Sequence, residues 1–240
     1  MLDFIIKAIG WCVLVGTLAT VYAVYSGALV VPERFNPWAP LQVAAEPNSL
    51  TPFKLQRATA DDALCQTALA TSGLRYQPVP NRETGPGCGF NNAVRITALV
   101  SASGRTVTMA PFVLSCRTAL SLVMWEQHVV QPAAQLHLGQ PVTRLDHLGS
   151  YACRNLYHRD NASRSQHATA DALDVAGLRM AGGGQVSVLR DWPRETPEAR
   201  FLQEIHAGAC RFFDGVLGPA YNTAHRDHFH LDRGRFRICR

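Results

Sequence analysis

An uncharged apolar segment near the N-terminus constrains this chain most. Residues 8–31 contain no Asp, Glu, Lys or Arg and are rich in Val, Leu and Ala. About 20 such residues suffice to cross a bilayer as a helix. A cleavable signal usually has a shorter apolar run of about 7–15 residues. We therefore predict that residues 1–31 form a single-pass membrane anchor, with a signal segment cleaved near residues 21–23 or 26–28 as the alternative.

Cysteines indicate the compartment, because the charges flanking the apolar segment nearly cancel and give no orientation. Besides Cys12 in the apolar segment, the chain has six cysteines: Cys65, Cys88, Cys116, Cys153, Cys210 and Cys239. Up to three disulfides are possible, which predicts an oxidising compartment, the periplasm of a bacterium, with the anchor in the inner membrane. The alternative is a cytosolic protein with six buried thiols. Six cysteines allow fifteen pairings, so the sequence leaves the connectivity open.

The basic charge indicates an anionic partner but no nucleic acid. The net charge is +5, and Lys7 and Lys54 are the only lysines, so arginine carries almost all of the positive charge. These residues are scattered rather than gathered in runs, which is not typical of nucleic-acid binding. A cell wall or lipid headgroups would suit such a surface.

Local patterns predict the domain organisation. Prolines interrupt residues 32–58, which we interpret as a Pro-rich linker before a domain at 59–240. Apolar periodicity predicts helices at 60–71, 116–130 and 196–217, and strands at 142–148, 172–178, 186–189 and 229–232. Residues 94–100 and 105–109 alternate around Ser-Gly and predict a hairpin that ends at Pro111. This mixture indicates an α+β domain: a small antiparallel sheet with flanking helices, preceded by one transmembrane helix.

Histidines in the last third of the chain predict a metal site. His167 precedes Asp174 by seven residues, and three more histidines lie between 225 and 230. Catalytic zinc typically takes three protein ligands and leaves a fourth position open. We predict that His167, Asp174 and His230 bind Zn²⁺.

The neighbouring polar residues are candidates for catalysis and substrate binding. His228 and His230 would share one face of a strand, so His228 is a predicted acid or base, together with His225. Arg154, Arg164 and Ser165 are predicted to bind substrate, because a guanidinium matches a carboxylate. Arg159 is a further candidate. Alternatively, these arginines are solvated or paired with aspartates, and His225 is a surface or supporting residue.

The segment Ser165-x-His167-x-x-Ala170-x-Ala172-x-Asp174 resembles the Ser-x-His-x-x-Gly-x-Ala-x-Asp signature of the LAS metallopeptidases. That group contains zinc D-Ala-D-Ala carboxypeptidases, murein endopeptidases and the hedgehog fold. The resemblance implies zinc on His167, Asp174 and His230. The spacing His225-x-x-His228-x-His230 is most similar to the murein endopeptidase branch, which implies catalytic roles for the other two histidines.

A second resemblance covers residues 59–240. Five motifs are similar to the bacterial extensin-like C-terminal domain family: Tyr151-x-Cys153-Arg154, Asp174-Val-Ala-Gly177, Asp191-Trp192, Leu217-Gly-Pro219-x-Tyr221-Asn222 and His228-Phe-His230-x-Asp232. One departure from the LAS signature is Ala170 in place of Gly, which is often retained where φ is positive.

Two functions therefore remain open. The first is a periplasmic zinc peptidase that hydrolyses peptidoglycan stems or cross-links, with the wall peptide and the membrane as its partners. The second is a non-catalytic wall-binding or scaffolding module with a structural zinc, since a fold alone does not establish activity. A filled four-ligand site would favour the module, and three ligands with an open position would favour the peptidase.

Overall fold

The N-terminal apolar segment forms helix α1, Leu2–Tyr25, in a computed structural model that describes residues 1–101 and 104–240. The helix begins and ends six residues earlier than the predicted apolar segment, and Gly27, with φ of +76°, follows its end. Residues 3–25 are long and apolar enough to cross a membrane. A signal sequence has the same properties.

The boundary of the folded domain lies earlier than the sequence predicted. The chain divides into two compact units, residues 1–39 and residues 40–240. Residues 40–58 are therefore not linker: Leu41, Val43 and Leu55 are buried in the core, and helix α2 spans Thr51–Ala60. Pro52 stands in the first turn of this helix, where the missing N–H would have no partner in any case.

The remaining helices and the strands follow in mixed order. The helices are α3 Asp62–Ala70, α4 Cys116–Trp125, α5 Gln131–Leu138, α6 Val188–Asp191 and α7 Pro197–Ala209, with a π-helical turn at Glu126–Val130 between α4 and α5. The strands are β1 Leu74–Val79, β2 Arg82–Gly85, β3 Cys88–Phe90, β4 Ala93–Val100, β5 Thr106–Ser115, β6 Val142–Gly149, β7 Ala172–Met180, β8 Gln185–Ser187, β9 Gly215–Leu217, β10 Phe229–Asp232 and β11 Ile238–Cys239. The α+β class is confirmed.

The main sheet is larger than predicted. It has nine strands in the order β1-β4-β5-β6-β7-β10-β9-β11, with β8 beside β7, and β2 and β3 form a separate hairpin. Most pairs are antiparallel, but β5–β6 and β9–β11 are parallel. Strands as short as β9 and β11 carry too few residues for a readable alternation. The predicted helix at 196–217 is accordingly wrong beyond Ala209, because the chain turns there and returns as β9.

The predicted hairpin is confirmed as β4 and β5, but Pro111 does not end it. Strand β5 continues to Ser115, and its register against β4 shifts between the pairs Ala98–Thr108 and Ile96–Phe112. Pro111 lies in this irregular stretch, where no ladder hydrogen bond requires its missing N–H.

The two faces of the main sheet have different environments. Helices α2–α5 and α7 pack with the apolar residues of one face into the core. Side chains on the opposite face alternate with the core residues and remain exposed or half-buried, and we name this surface the open sheet face. It includes Arg75, Gln77, Arg95, Thr97, Thr108, Ala110, Arg144, Asp146, Leu148 and Arg179.

The six cysteines outside α1 form three disulfides, as many as the sequence allowed. The pairs are Cys65–Cys116, Cys88–Cys153 and Cys210–Cys239, and Cys12 is a free thiol on α1. Chain-entropy arguments assign roughly 4 kcal/mol to each cross-link of this length. Such pairing is compatible with an extracytoplasmic domain.

The early domain boundary predicts a stability effect. Leu55→Ala should lower the free energy of unfolding by about 2–4 kcal/mol, because the side chain is buried and leaves a cavity. Gln56→Ala, on the exposed side of the same helix, should change it by less than about 0.5 kcal/mol. Urea unfolding of the full chain in non-ionic detergent measures both. Equal effects would exclude residues 40–58 from the core.

Candidate metal centre

Asp174 and His230 face each other across two paired strands. In the antiparallel register of β7 and β10, these two residues are direct Cα partners. Their neighbours Val175 and Phe229 are also partners and are fully buried in the core. Because side chains alternate along a strand, the carboxylate and the imidazole both lie on the opposite side, at the edge of the open sheet face.

A short turn before β7 brings His167 to the same place. His167 lies in a 3₁₀ turn, Gln166–Thr169, and its backbone N–H donates to Ser165 Oγ at 3.3 Å. Ala170 ends the turn with φ of +56° and is fully buried. The position where the LAS signature carries Gly thus has the left-handed conformation that favours glycine.

The three side chains form a set of donors suited to a metal ion. His167 Nε2 lies 3.2 Å from both Asp174 Oδ1 and His230 Nδ1, and His230 Nδ1 lies 3.0 Å from Asp174 Oδ1. Ligand atoms on a tetrahedral zinc with bonds of about 2.05 Å are about 3.3 Å apart. Two imidazoles and a carboxylate at this spacing fit zinc in both chemistry and distance.

The outer nitrogen of each imidazole is already occupied. His167 Nδ1 donates to the backbone carbonyl of Ser150 at 2.6 Å, and His230 Nε2 donates to Asp232 Oδ2 at 3.0 Å. Such bonds hold the ring orientation and leave the inner nitrogen available as a ligand. The predicted ligands are therefore brought together with their supporting bonds.

Electrostatics couples Asp174 to the two imidazoles. Burial alone would raise the pKa of Asp174, but hydrogen bonds and charges from His167 and His230 hold it well below its usual range. Burial alone would lower the pKa of His230, but Asp174 and Asp232 raise it to about 9. In the metal-free protein, a proton thus replaces the positive charge that a metal ion would supply.

His228 and His225 lie beside this centre. His228 immediately precedes β10; its Nε2 is 3.6 Å from Asp174 Oδ1, and its Nδ1 bonds to Asp227 Oδ1 at 2.8 Å. The ring centroid of His225 is 5.3 Å from that of His228 and 5.9 Å from that of His230. Burial, followed by the nearby His230 and His228, lowers the pKa of His225 to about 4. His225 is therefore neutral at pH 7.

Asn222 determines which nitrogen of His225 carries the proton. Its Oδ1 accepts from the backbone N–H of Ala224 at 3.0 Å, so the same oxygen must also accept from His225 Nδ1 at 2.8 Å. Its Nδ2 donates to Tyr157 Oη at 3.0 Å. His225 Nε2 is consequently the nitrogen with a free lone pair.

A cleft of about 230 Å³ opens over the centre. It is lined by Arg154, Leu156, Tyr157, His158, Ser165, Asp174, Leu217, Ala224, His225, His228 and His230. Arg154 and Ser165 thus lie where a substrate would bind, although Ser165 also caps the turn of His167.

Arg164 does not fit its predicted substrate-binding role. Its Nε donates to the carbonyl of Pro86 and its Nη1 to Asn155 Oδ1, and it is absent from the cleft lining. It connects the β2–β3 hairpin to the loop before His167. Arg159 lies with its guanidinium 5.8 Å from the centre of the Tyr157 ring and is also absent from the lining.

Sequence reasoning did not assign roles to Asp232, Asn222 or Tyr157. Alternation could have identified Asp232, since it stands two residues after His230 on one strand. Tyr157 and the following His158 have φ of +52° and +57°, a strained conformation that often occurs at functional sites. No local sequence pattern predicts such a backbone conformation at Tyr157 and His158.

Comparison with known protein families gives a match over most of the chain. The model of the family described as extensin-like protein C-terminus matches residues 63–240. No curated protein and no solved structure matches the chain.

The left-handed conformation of Ala170 predicts an unusual tolerance. Ala170→Gly should change the free energy of unfolding by less than about 0.5 kcal/mol, because relief of roughly 1 kcal/mol of backbone strain offsets the lost methyl. Ala168→Gly, equally buried but in the right-handed turn, should cost about 1–2 kcal/mol. Denaturant unfolding compares the two. Equal losses would mean that Ala170 carries no strain.

The raised pKa of His230 predicts opposite pH effects with and without zinc. The protonated ring stabilises the metal-free protein below about pH 6.5, its unfolded value, and that stabilisation is lost as pH rises through about 9. Zinc requires the neutral ring, so zinc binding should strengthen over the same range. Thermal unfolding measured from pH 6.5 to 8.5 should show that the Tm of the zinc-free protein falls as pH rises. The increase in Tm on addition of zinc should grow over the same range. His230→Gln is the control without a shift, and a pH-independent shift would contradict the assignment.

Proposed function

The chain belongs to the extensin-like protein C-terminus family, and on this premise we propose that it is a membrane-tethered periplasmic zinc peptidase that hydrolyses peptide bonds in peptidoglycan stems or cross-links. The observation that carries the proposal is the convergence of His167, Asp174 and His230 at a cleft that Asp174 and His230 line. The resemblance of the segment that carries His167 and Asp174 to the LAS metallopeptidase signature supports the same reaction class.

The number of converging donors favours catalysis over a purely structural zinc. Three ligand groups meet within 4.8 Å of one another, and two of them, Asp174 and His230, line the cleft. Structural zinc sites are usually closed by four protein ligands, whereas catalytic sites keep one position for water or substrate. When bound, zinc would supply Lewis-acid polarisation of a substrate carbonyl and of water.

His225 is suited to the role of general base. It is neutral at pH 7, and because Asn222 accepts from its Nδ1, its Nε2 carries the free lone pair. Hydrolysis adds the hydroxyl of water to the carbonyl carbon and a proton to the departing amine. A neutral imidazole beside the cleft can accept the proton that the water loses.

His228 is suited to deliver a proton to the departing amine. Asp227 accepts from its Nδ1 at 2.8 Å, and its Nε2 faces the centre, 3.6 Å from Asp174 Oδ1. Two histidines with opposite partners, an amide for His225 and a carboxylate for His228, thus divide the base and acid roles. Arg154 in the cleft lining would bind a carboxylate of the wall peptide.

The proposed location of the domain in the periplasm supports peptidoglycan as its substrate. Three disulfides suit the oxidising periplasm, and α1 has the length and composition of an anchor in the inner membrane. A domain tethered there would meet peptidoglycan. The competing proposal, a wall-binding module with structural zinc, is favoured only if His228 fills the fourth position, since its Nε2 lies near Asp174.

Digestion of purified sacculi tests the proposal. Full-length protein, zinc-loaded in non-ionic detergent, should release stem or cross-link fragments detectable by mass spectrometry, and His230→Ala should release none. His225→Gln should keep zinc but lose activity by about 100-fold or more, the usual contribution of general acid–base catalysis. His137→Gln, whose side chain bonds to Glu204 on α7, is the matched control. A folded, zinc-bearing protein without products would favour the module.

A further inference from the structure

The open sheet face carries an excess of positive charge beyond the metal centre. It has four arginines, Arg75, Arg95, Arg144 and Arg179, and one carboxylate, Asp146. Both Arg144 and Arg179 donate from Nε to Asp146, at 2.8 and 3.0 Å. The two guanidinium groups therefore share one carboxylate, and four positive charges against one negative charge leave a net charge of +3 on the face.

Arg75 and Arg95 are the other two exposed arginines of this face. They lie on adjacent strands, Arg75 opposite Ala98 and Arg95 opposite Gln77. Within residues 1–101 and 104–240, neither makes an ion pair. Their guanidinium groups are available to an external anion.

A row of four residues on neighbouring strands, Asp174, Gly149, Val113 and Arg95, crosses the open sheet face from the metal centre. Asp174 is opposite Gly149, and Arg95 is opposite Val113. Ser150 Oγ donates to the carbonyl of Val113 at 2.7 Å, which places the end of β6 level with this part of β5. Three strand spacings of about 4.8 Å separate Asp174 from Arg95, or about 14 Å.

The two middle residues of this row leave room for an extended peptide to lie over them. A Cβ added at Gly149 would meet no atom within 4 Å, and Val113 is only half-buried. Extended peptide rises about 3.3 Å per residue, so about four residues cover the distance from Asp174 to Arg95. A peptide held at the metal centre would therefore place a carboxylate about four residues away beside Arg95.

We propose that the open sheet face binds the carboxylate-bearing peptides of the wall polymer, with Arg75 and Arg95 as its anion-binding residues. The proposal rests on the proposed function, because it extends the substrate beyond the cleft. A guanidinium presents paired donors that match a carboxylate. The face is continuous with the strands that carry Asp174 and His230, which favours the peptidase's own polymeric substrate over a lipid surface.

Co-sedimentation with purified sacculi tests this surface. The full chain is held in nanodiscs of neutral lipid, and Arg75→Gln/Arg95→Gln is compared with Arg190→Gln/Arg200→Gln, exposed arginines of the helical layer. Both double variants change the net charge equally. The first should weaken binding by about tenfold and the second by less than about twofold. Sacculi with amidated carboxylates should bind the wild type as weakly as normal sacculi bind the first variant.

The result is independent of hydrolysis. Binding is also measured in His230→Ala, which should retain the dependence on Arg75 and Arg95 even if no peptide bond is ever cleaved. Equal losses in the two double variants, or none in either, would overturn the proposal whatever the digestion assay shows. Binding to phosphatidylglycerol vesicles that depends on Arg75 and Arg95, without such binding to sacculi, would assign the face to lipid and also overturn it.

Discussion

The antiparallel pairing of β7 with β10 is the constraint on which the rest of the site depends. It joins residues 56 positions apart and sets Asp174 directly opposite His230. Val175 and Phe229 maintain the register, because both are buried on the other face. A slip of one residue would exchange the two faces and bury the candidate metal ligands, Asp174 and His230, in the apolar core.

Several fixed bonds hold His167 against this pair. Asp171, buried at the start of the following segment, accepts from Arg117 Nε and from Thr169 Oγ1, each at 2.7 Å. This carboxylate anchors the turn of His167 to the first residues of α4. The Cys88–Cys153 disulfide fastens the β2–β3 hairpin to the chain just before Arg154. Covalent and charge-assisted bonds thereby hold the residues around the centre in place.

The division of the sheet into a core face and an open face relates stability to function. Helices cover the apolar face, so the candidate metal ligands and the arginines can share the other face without loss of core packing. The proposed peptidase centre and the proposed anion-binding surface are then two ends of one row of strands. Arg95 and Asp174 are joined through Val113 and Gly149. A polymeric wall substrate fits both ends, whereas a small dipeptide would use only the cleft.

Patterns along the chain determined the α+β class, the β4–β5 hairpin, the capacity for three disulfides and the grouping of His167, Asp174 and His230. Each of these depends on residue types at short spacings or on a recurring motif. Only the tertiary structure decided which cysteines pair, that residues 40–58 belong to the core, and that Arg164 holds a hairpin instead of facing the cleft. It also decided that Asn222 orients His225. These outcomes depend on contacts between residues far apart in the chain, and the free energy of such contacts leaves no periodic trace in the sequence.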